Sequence, residues 1–174
     1  AAYSLEKALS NQPDYLPAQA LMTEVELRQG NAEAAEKRAK VIVTKHPKRG
    51  VGYRLLGDIA LSKKQTDPAL EAYKKAYQVE PLLDTLMRQF QLLAQQDKGK
   101  GAVAVAQQWL KVHPDSASVH SALADLHARN GEFAAARASY EAVVKLNPRS
   151  PVAKQMVLLS HLFAPVTDTH HRRW

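Results

Sequence analysis

Residues 53 to 81 read Tyr-Arg-Leu-Leu-Gly-Asp-Ile-Ala-Leu-Ser-Lys-Lys-Gln-Thr-Asp-Pro-Ala-Leu-Glu-Ala-Tyr-Lys-Lys-Ala-Tyr-Gln-Val-Glu-Pro. Two apolar-periodic stretches are separated by the turn Gln65-Thr66-Asp67-Pro68 and closed by Pro81, which predicts two antiparallel helices. Proline ends the second helix because it lacks an N–H and its ring clashes with the preceding turn. The closing proline recurs as Pro13, Pro47, Pro81, Pro114 and Pro148, at intervals of 34, 34, 33 and 34 residues. An alanine stands twelve residues before each, at Ala1, Ala35, Ala69, Ala102 and Ala136. A period near 34 is one helix–turn–helix unit copied end to end, each copy burying its apolar face against its neighbours.

The expected fold is therefore all-α, a right-handed superhelix or α-solenoid of about ten antiparallel helices. Helices are placed at 1–11, 14–29, 32–45, 50–63, 68–79, 82–96, 100–112, 116–129, 133–146 and 150–163. Four full repeats, 14–47, 48–81, 82–114 and 115–148, lie between half repeats at 1–13 and 149–165, and a polar tail covers 166–174. Gly30 and Gly131 suit left-handed helix C-termini, and Asp67 suits an N-cap with Pro68 at the first helical position. The third repeat is one residue short, and the spacing of Ala102 to Pro114 puts the deletion between Pro81 and Ala102. Its packing face is supplied either by Leu86 and Phe90 or by Met87 and Phe90, with Trp109 replacing a small residue.

The recurring alanine has a steric reason: the two helices of a repeat cross closely near their turn. No apolar run approaches the roughly 18 residues of a membrane span. No cysteine is present, so disulfides, thiolate metal sites and a cysteine nucleophile are excluded. Ala1 begins inside a repeat and no initiator Met precedes it, so the sequence reads as a piece of a longer protein. The formal charge of +7 bears on acidic partners rather than on the fold. Much of it lies in Lys37, Arg38, Lys40, Lys45, Lys48, Arg49 and Arg54, against Glu33 and Glu36. One reading is an anion-binding patch for polysaccharide or nucleic acid; the preferred one is a solvated face with the i,i+4 pairs Glu33–Lys37 and Glu36–Lys40. On that count Arg38, Lys45, Lys48, Arg49 and Arg54 lack a partner. The few aromatic residues in the expected groove disfavour sugar or base stacking, and nucleic acid with it.

The pattern W-x2-L-G-x2-Y, A-x3-F, P fits the second repeat through Tyr53, Leu56, Gly57, Ala60, Ala69, Tyr73 and Pro81. It fits the fourth through His120, Leu123, Ala124, His127, Ala136, Tyr140 and Pro148. These residues identify the chain as resembling tetratricopeptide repeat (TPR) proteins. Tyr53 to Asp58, Ala69 to Tyr77, Gln108 to Asp115 and Ser139 to Pro148 further resemble the TPR-repeat lipoproteins of the bacterial PEP-CTERM and exosortase system. That resemblance, over roughly residues 14 to 153, implies an exported protein anchored by an N-terminal lipidated cysteine to the periplasmic side of the outer membrane. It implies a role in exopolysaccharide production or protein sorting; without it, a cytoplasmic site is the expectation. The anchoring cysteine is absent from this sequence, and after Ala153 the chain departs from a further repeat.

His120, His127 and His161 occupy places of the motif's aromatic residues, which favours packing over metal ligation. His170 and His171 sit in the terminal basic tail, where disorder is the default expectation. Gly99-Lys100-Gly101 lacks phosphate-loop spacing, and no nucleophile motif appears, so no enzyme activity and no cofactor are expected.

Family geometry implies a concave groove lined by the first helix of each repeat. The candidate partner-binding residues are Glu24, Leu27, Arg28, Arg54, Asp58, Leu61, Arg88, Leu92, Gln95, Ser121, Asp125 and Arg129. Leucines mixed with arginines suit a peptide carrying apolar and acidic groups. The competing reading is that Glu24–Arg28, Arg54–Asp58 and Asp125–Arg129 are i,i+4 surface pairs. A protein or peptide in this groove is the leading expectation. Self-assembly is the third, through Leu5 and Leu9 at one end and Leu158, Leu162 and Phe163 at the other.

Overall fold

The computed structural model describes residues 2–162. Ala1, Phe163, His170, His171 and the rest of the expected tail lie outside the described residues. Within them the protein is all-helical: α1 Ala2–Asn11, α2 Leu16–Arg28, α3 Ala32–Lys45, α4 Val51–Ser62, α5 Thr66–Val79, α6 Leu83–Leu93, α7 Lys100–Val112, α8 Ala117–Arg129, α9 Phe133–Leu146 and α10 Pro151–Leu162. A single 3-10 turn covers Asp97–Gly99. The chain divides into two compact units, Ala1–Leu92 and Leu93–Trp174.

In the first unit Ala35, Ala39, Ile42, Leu55 and Ile59 form a core, with Leu16, Ala20, Leu27, Val51 and Leu56 packed around it. In the second, Ala124, Ala136 and Tyr140 play that part, with Ala128, Met156 and Val157 against them. The four described repeat alanines, Ala35, Ala69, Ala102 and Ala136, are each 0% exposed, which places the close helix crossing where the period puts it. Gly57 marks another close approach: a Cβ there would stand 2.4 Å from a Tyr73 ring carbon.

The intra-repeat turns after α2, α4 and α8 share one geometry. After α2, the Asn31 N–H donates to Glu26 O and Gly30 N–H to Leu27 O, with Gly30 at φ +80. After α8 the same pair of bonds runs from Glu132 to His127 and from Gly131 to Ala128, with Gly131 at φ +75. After α4 the left-handed position is held by Lys64, at φ 59, and the helix start moves to Thr66 with Gln65 as N-cap. Asp67 is therefore not the cap, and Pro68 stands third in the first turn, where no intrahelical N–H bond is lost.

The inter-repeat prolines occupy the second position of a four-residue turn, closed by Tyr15 N–H to Gln12 O, Arg49 to His46, Ser116 to His113 and Ser150 to Asn147. Pro81 is followed by no such turn, and α6 starts two residues after it. The missing residue is lost there. α6 then ends at Leu93, and Asp97 and Lys98 adopt φ 43 and 52 before α7. Leu86 and Phe90, 2% and 4% exposed, resolve the packing register in favour of Leu86 over Met87. Of the expected end residues, Leu5 and Leu9 are half-buried on α1, where Tyr3 is the more open, while Leu158 and Leu162 are 66% and 77% exposed.

Candidate functional site

α2, α4 and α6 carry a charged ladder across the first unit. Arg54 stands seven residues after Pro47 and its side chain is only 13% exposed. Its Nη2 lies 2.8 Å from Glu24 Oε1, its Nη1 2.9 Å from Asp58 Oδ2 and its Nε 3.8 Å from Asp84 Oδ2. Arg88, seven residues after Pro81, donates from Nη1 to Asp58 Oδ1 at 2.7 Å and pairs through Nε with Asp84 at 3.3 Å. The Tyr73 hydroxyl on α5 also donates to Asp58 Oδ1, at 2.6 Å. The charge-assisted bonds of Asp58, 15% exposed, with Arg54 and Arg88 are less screened by water than exposed pairs, while Asp84, 62% exposed, gains less.

The titration behaviour follows from that packing. Burial first, then the bond to Asp58, push the Tyr73 phenol far above its usual range. Burial opposes the charge on Arg88, but Asp58 and Asp84 more than offset it, so its pKa is raised. In the second unit Tyr140 donates to Asp125 Oδ1 at 2.6 Å, and burial with that bond raises it too.

The twelve candidate residues separate under this geometry. Arg54, Asp58, Arg88 and Glu24 come together, with Glu24 turned toward Arg54 rather than Arg28. Asp125 is joined to Tyr140, not to Arg129; Arg28 and Arg129 are exposed. Leu61 is 37% exposed and Ser121 half-buried. Two leucines are corrected: Leu27 packs on the first unit's core, and Leu92 is only 8% exposed. The Leu92 assignment failed because the deletion directly follows Pro81, turning α6 by about 100° per residue relative to the assumed frame. Gln95 falls beyond the end of α6. Asp84, missed on sequence, joins the ladder through both arginines.

The basic stretch is largely neutralised by carboxylates, most of them distant in sequence. Arg38 grips Glu26 on α2 with Nη2 at 2.7 Å and Nε at 3.1 Å, and its Nη1 donates to Gln19 Oε1 at 3.1 Å. Lys45 pairs with Asp14, Arg49 with Glu80 at 3.2 Å, and Lys40 with Glu36 at 3.3 Å. Arg38, Lys45, Arg49 and Arg54 thus find carboxylates, while Lys37, expected to pair with Glu33, and Lys48 are exposed with no ion pair among the described residues. Glu80 also accepts from the Gly50 N–H at 2.9 Å, so it caps the start of α4.

The histidines take separate partners. His120 Nε2 donates to Pro114 O at 2.9 Å, and Gln19, in the same repeat position, donates to Pro13 O. His127 pairs with Glu132, His161 Nδ1 accepts from Arg137 at 3.3 Å, and His113 lies against Trp109 with ring centroids 4.1 Å apart. Among the described residues no three metal-ligating side chains gather, and no helix is long and apolar enough to cross a membrane.

Among solved structures, a thermophilic TPR protein of Thermus thermophilus, TTC0263, aligns with a TM-score of 0.69 and 22% identity, over 92% of this chain and 89% of that one. YrrB, described as a TPR protein with an unusual peptide-binding site, aligns with a TM-score of 0.65 and 15% identity, over 94% and 84%. MamA aligns with a TM-score of 0.65 and 12% identity, over 85% and 87%. Among curated proteins, the mouse Protein O-mannosyl-transferase TMTC1 is 27% identical over 152 residues, and the chain spans only 16% of its length. Family models described as tetratricopeptide repeat match residues 53–81 and 87–151, together more than half of the sequence. The chain is a tetratricopeptide-repeat protein.

Proposed function

We propose that the chain is a non-catalytic scaffold whose first-helix faces hold a protein or peptide partner. The observation that carries this is the ladder Glu24–Arg54–Asp58–Arg88–Asp84, which fixes five charged side chains on α2, α4 and α6. A surface whose rotamers are already ordered loses less entropy when a partner docks. The TPR fold is consistent with such a role, and YrrB, with the same fold, is described by its peptide-binding site. The similarity to TMTC1 covers a small part of that transferase, and in the proposed role this chain contributes no chemical step.

The finer reading is that the parent protein works in a bacterial cell-envelope assembly linked to exopolysaccharide production or protein sorting, held at the periplasmic side of the outer membrane. It is supported by the stretches Tyr53 to Asp58, Ala69 to Tyr77 and Ser139 to Pro148.

A photo-crosslinking amino acid at Leu61 or Ser121 reports on the first helices of the second and fourth repeats, and one at Glu71 on a second helix. Crosslinks to the same partner from Leu61 and Ser121 but not Glu71 are expected. Equal labelling from all three positions overturns the scaffold reading. Fractionation of the native full-length protein checks the compartment, and recovery only in the cytoplasm overturns the envelope reading.

A further inference from the structure

The two units carry the same carboxylate station, and only one is filled. Asp58 and Asp125 stand eleven residues after Pro47 and Pro114, and each accepts a tyrosine hydroxyl at 2.6 Å from fifteen residues ahead. Asp58 then takes one arginine from four residues before, Arg54, and one from thirty residues after, Arg88. At Asp125 the place four residues before holds Ser121, and the place thirty residues after, from which Arg54 reaches Glu24 at 2.8 Å across an undeleted junction, holds Gln155. Among the described residues no cation pairs with Asp125, and it is exposed, whereas the Asp58 side chain is 15% exposed. The i+4 cation, Arg129, does not fill the seat, just as Arg28 leaves Glu24 to Arg54.

The first helix of the following repeat sets the rest of the ligand. Gln155 lies on α10 in register with Val152, Leu159 and Leu162, which are 61%, 36% and 77% exposed. In the first unit the same places on α4 hold Val51, Arg54, Asp58 and Leu61, so the charges of Arg54 and Asp58 give way here to Gln155 and Leu159.

We infer that the second unit binds a segment of a partner protein through an arginine seated on Asp125, with apolar residues beside it resting on Val152, Leu159 and Leu162. The first unit shows that this station, carboxylate plus tyrosine hydroxyl, accepts guanidinium donors at 2.7 and 2.9 Å. A guanidinium forms paired, directional bonds to a carboxylate that an ammonium does not reproduce. The inference rests on the scaffold reading and names the chemistry of the partner.

The test measures fluorescence anisotropy of the whole chain with a labelled peptide, Gly-Leu-Ser-Arg-Ser-Leu-Gly, and its citrulline analogue, which keeps the shape and removes the charge. The arginine peptide is expected to bind about tenfold tighter, a ratio that shrinks with salt. Asp125→Asn should bring the ratio near one. Gln155→Arg should do the same by seating the chain's own guanidinium, and a raised Tm shows that this variant folds. Equal affinities, no saturable binding below about 1 mM, or a ratio that survives both substitutions overturns the inference. So does self-association abolished by Leu159→Glu and unaffected by the arginine peptide, which assigns the face to a second copy. Partner crosslinks from Ser121 alongside equal peptide affinities sink this inference alone; loss of position-specific crosslinks sinks the scaffold reading.

Discussion

The Tyr73 hydroxyl stands 2.6 Å from Asp58 Oδ1, tying α5 to the carboxylate that two arginines of α4 and α6 also hold. Removing the hydroxyl leaves Asp58 its arginines, so Tyr73→Phe is expected to cost about 1.5 kcal/mol, the low end for a bond to a charged group. Tyr140→Phe faces an exposed Asp125 that water resolvates, and should cost about half as much. Urea unfolding of the two variants checks the order.

Both phenols titrate above their ordinary range, which sets a pH dependence. The raised folded-state pKa means that their contribution is intact below the unfolded value of about 10. It is lost as pH rises above that value, because the unfolded chain ionises first. Denaturant midpoints should therefore fall above about pH 10, and Tyr73→Phe should flatten that fall. An unchanged slope in the variant contradicts the assignment.

Arg54 serves three carboxylates at 13% exposure. Arg54→Gln leaves Glu24, Asp58 and Asp84 facing one another with only Arg88 between, and a loss of about 2 kcal/mol is expected after discounting for the exposed outer groups. A double-mutant cycle with Asp58→Asn should return a coupling of about 1 kcal/mol.

Lys64 holds a left-handed position that its counterparts give to Gly30 and Gly131. Lys64→Gly should stabilise the chain by about 0.5 to 1 kcal/mol, since relief of the side-chain strain exceeds the added chain entropy. Thermal melts check the sign.

Ala69 and Ala136 have no free surface. Leucine at either position should overpack the crossing of its two helices and cost about 1 to 3 kcal/mol. A melt showing no loss contradicts the repeat register.

Much of this fold was legible because proline acts locally. Pro47 to Pro81 places α4 and α5 within two residues, and Ala35, Ala69, Ala102 and Ala136 arrive in the core as the spacing requires. The third repeat was less legible because a deletion has no residue to mark it: only the absence of a turn after Pro81 locates it, and Leu92 was misassigned for that reason. Lys64 gave no signal, since left-handed geometry without glycine is set by the hydrogen bonds around it. The site was half legible. The acids at Glu24, Asp58 and Asp125 recur in register and the i,i+4 pair Arg54–Asp58 forms, but Glu24 and Asp58 also take arginines thirty residues ahead, and Asp125 a tyrosine fifteen ahead, beyond the reach of an i,i+4 count. Arg54 and Arg88, each seven residues past a proline, were the signal that could have revealed the ladder.

The ladder also gives the array a direction. Arg54 reaches back to an acid in the repeat before it, and Arg88 does the same, so each of these modules is keyed to its predecessor. Exchanging the second and fourth repeats would set Ser121 opposite Glu24 and strand that carboxylate. Though built from copies of one helix–turn–helix unit, this chain is not a string of interchangeable beads: the order of its repeats is written in charge, and a shuffled version should misassemble where a key meets no lock.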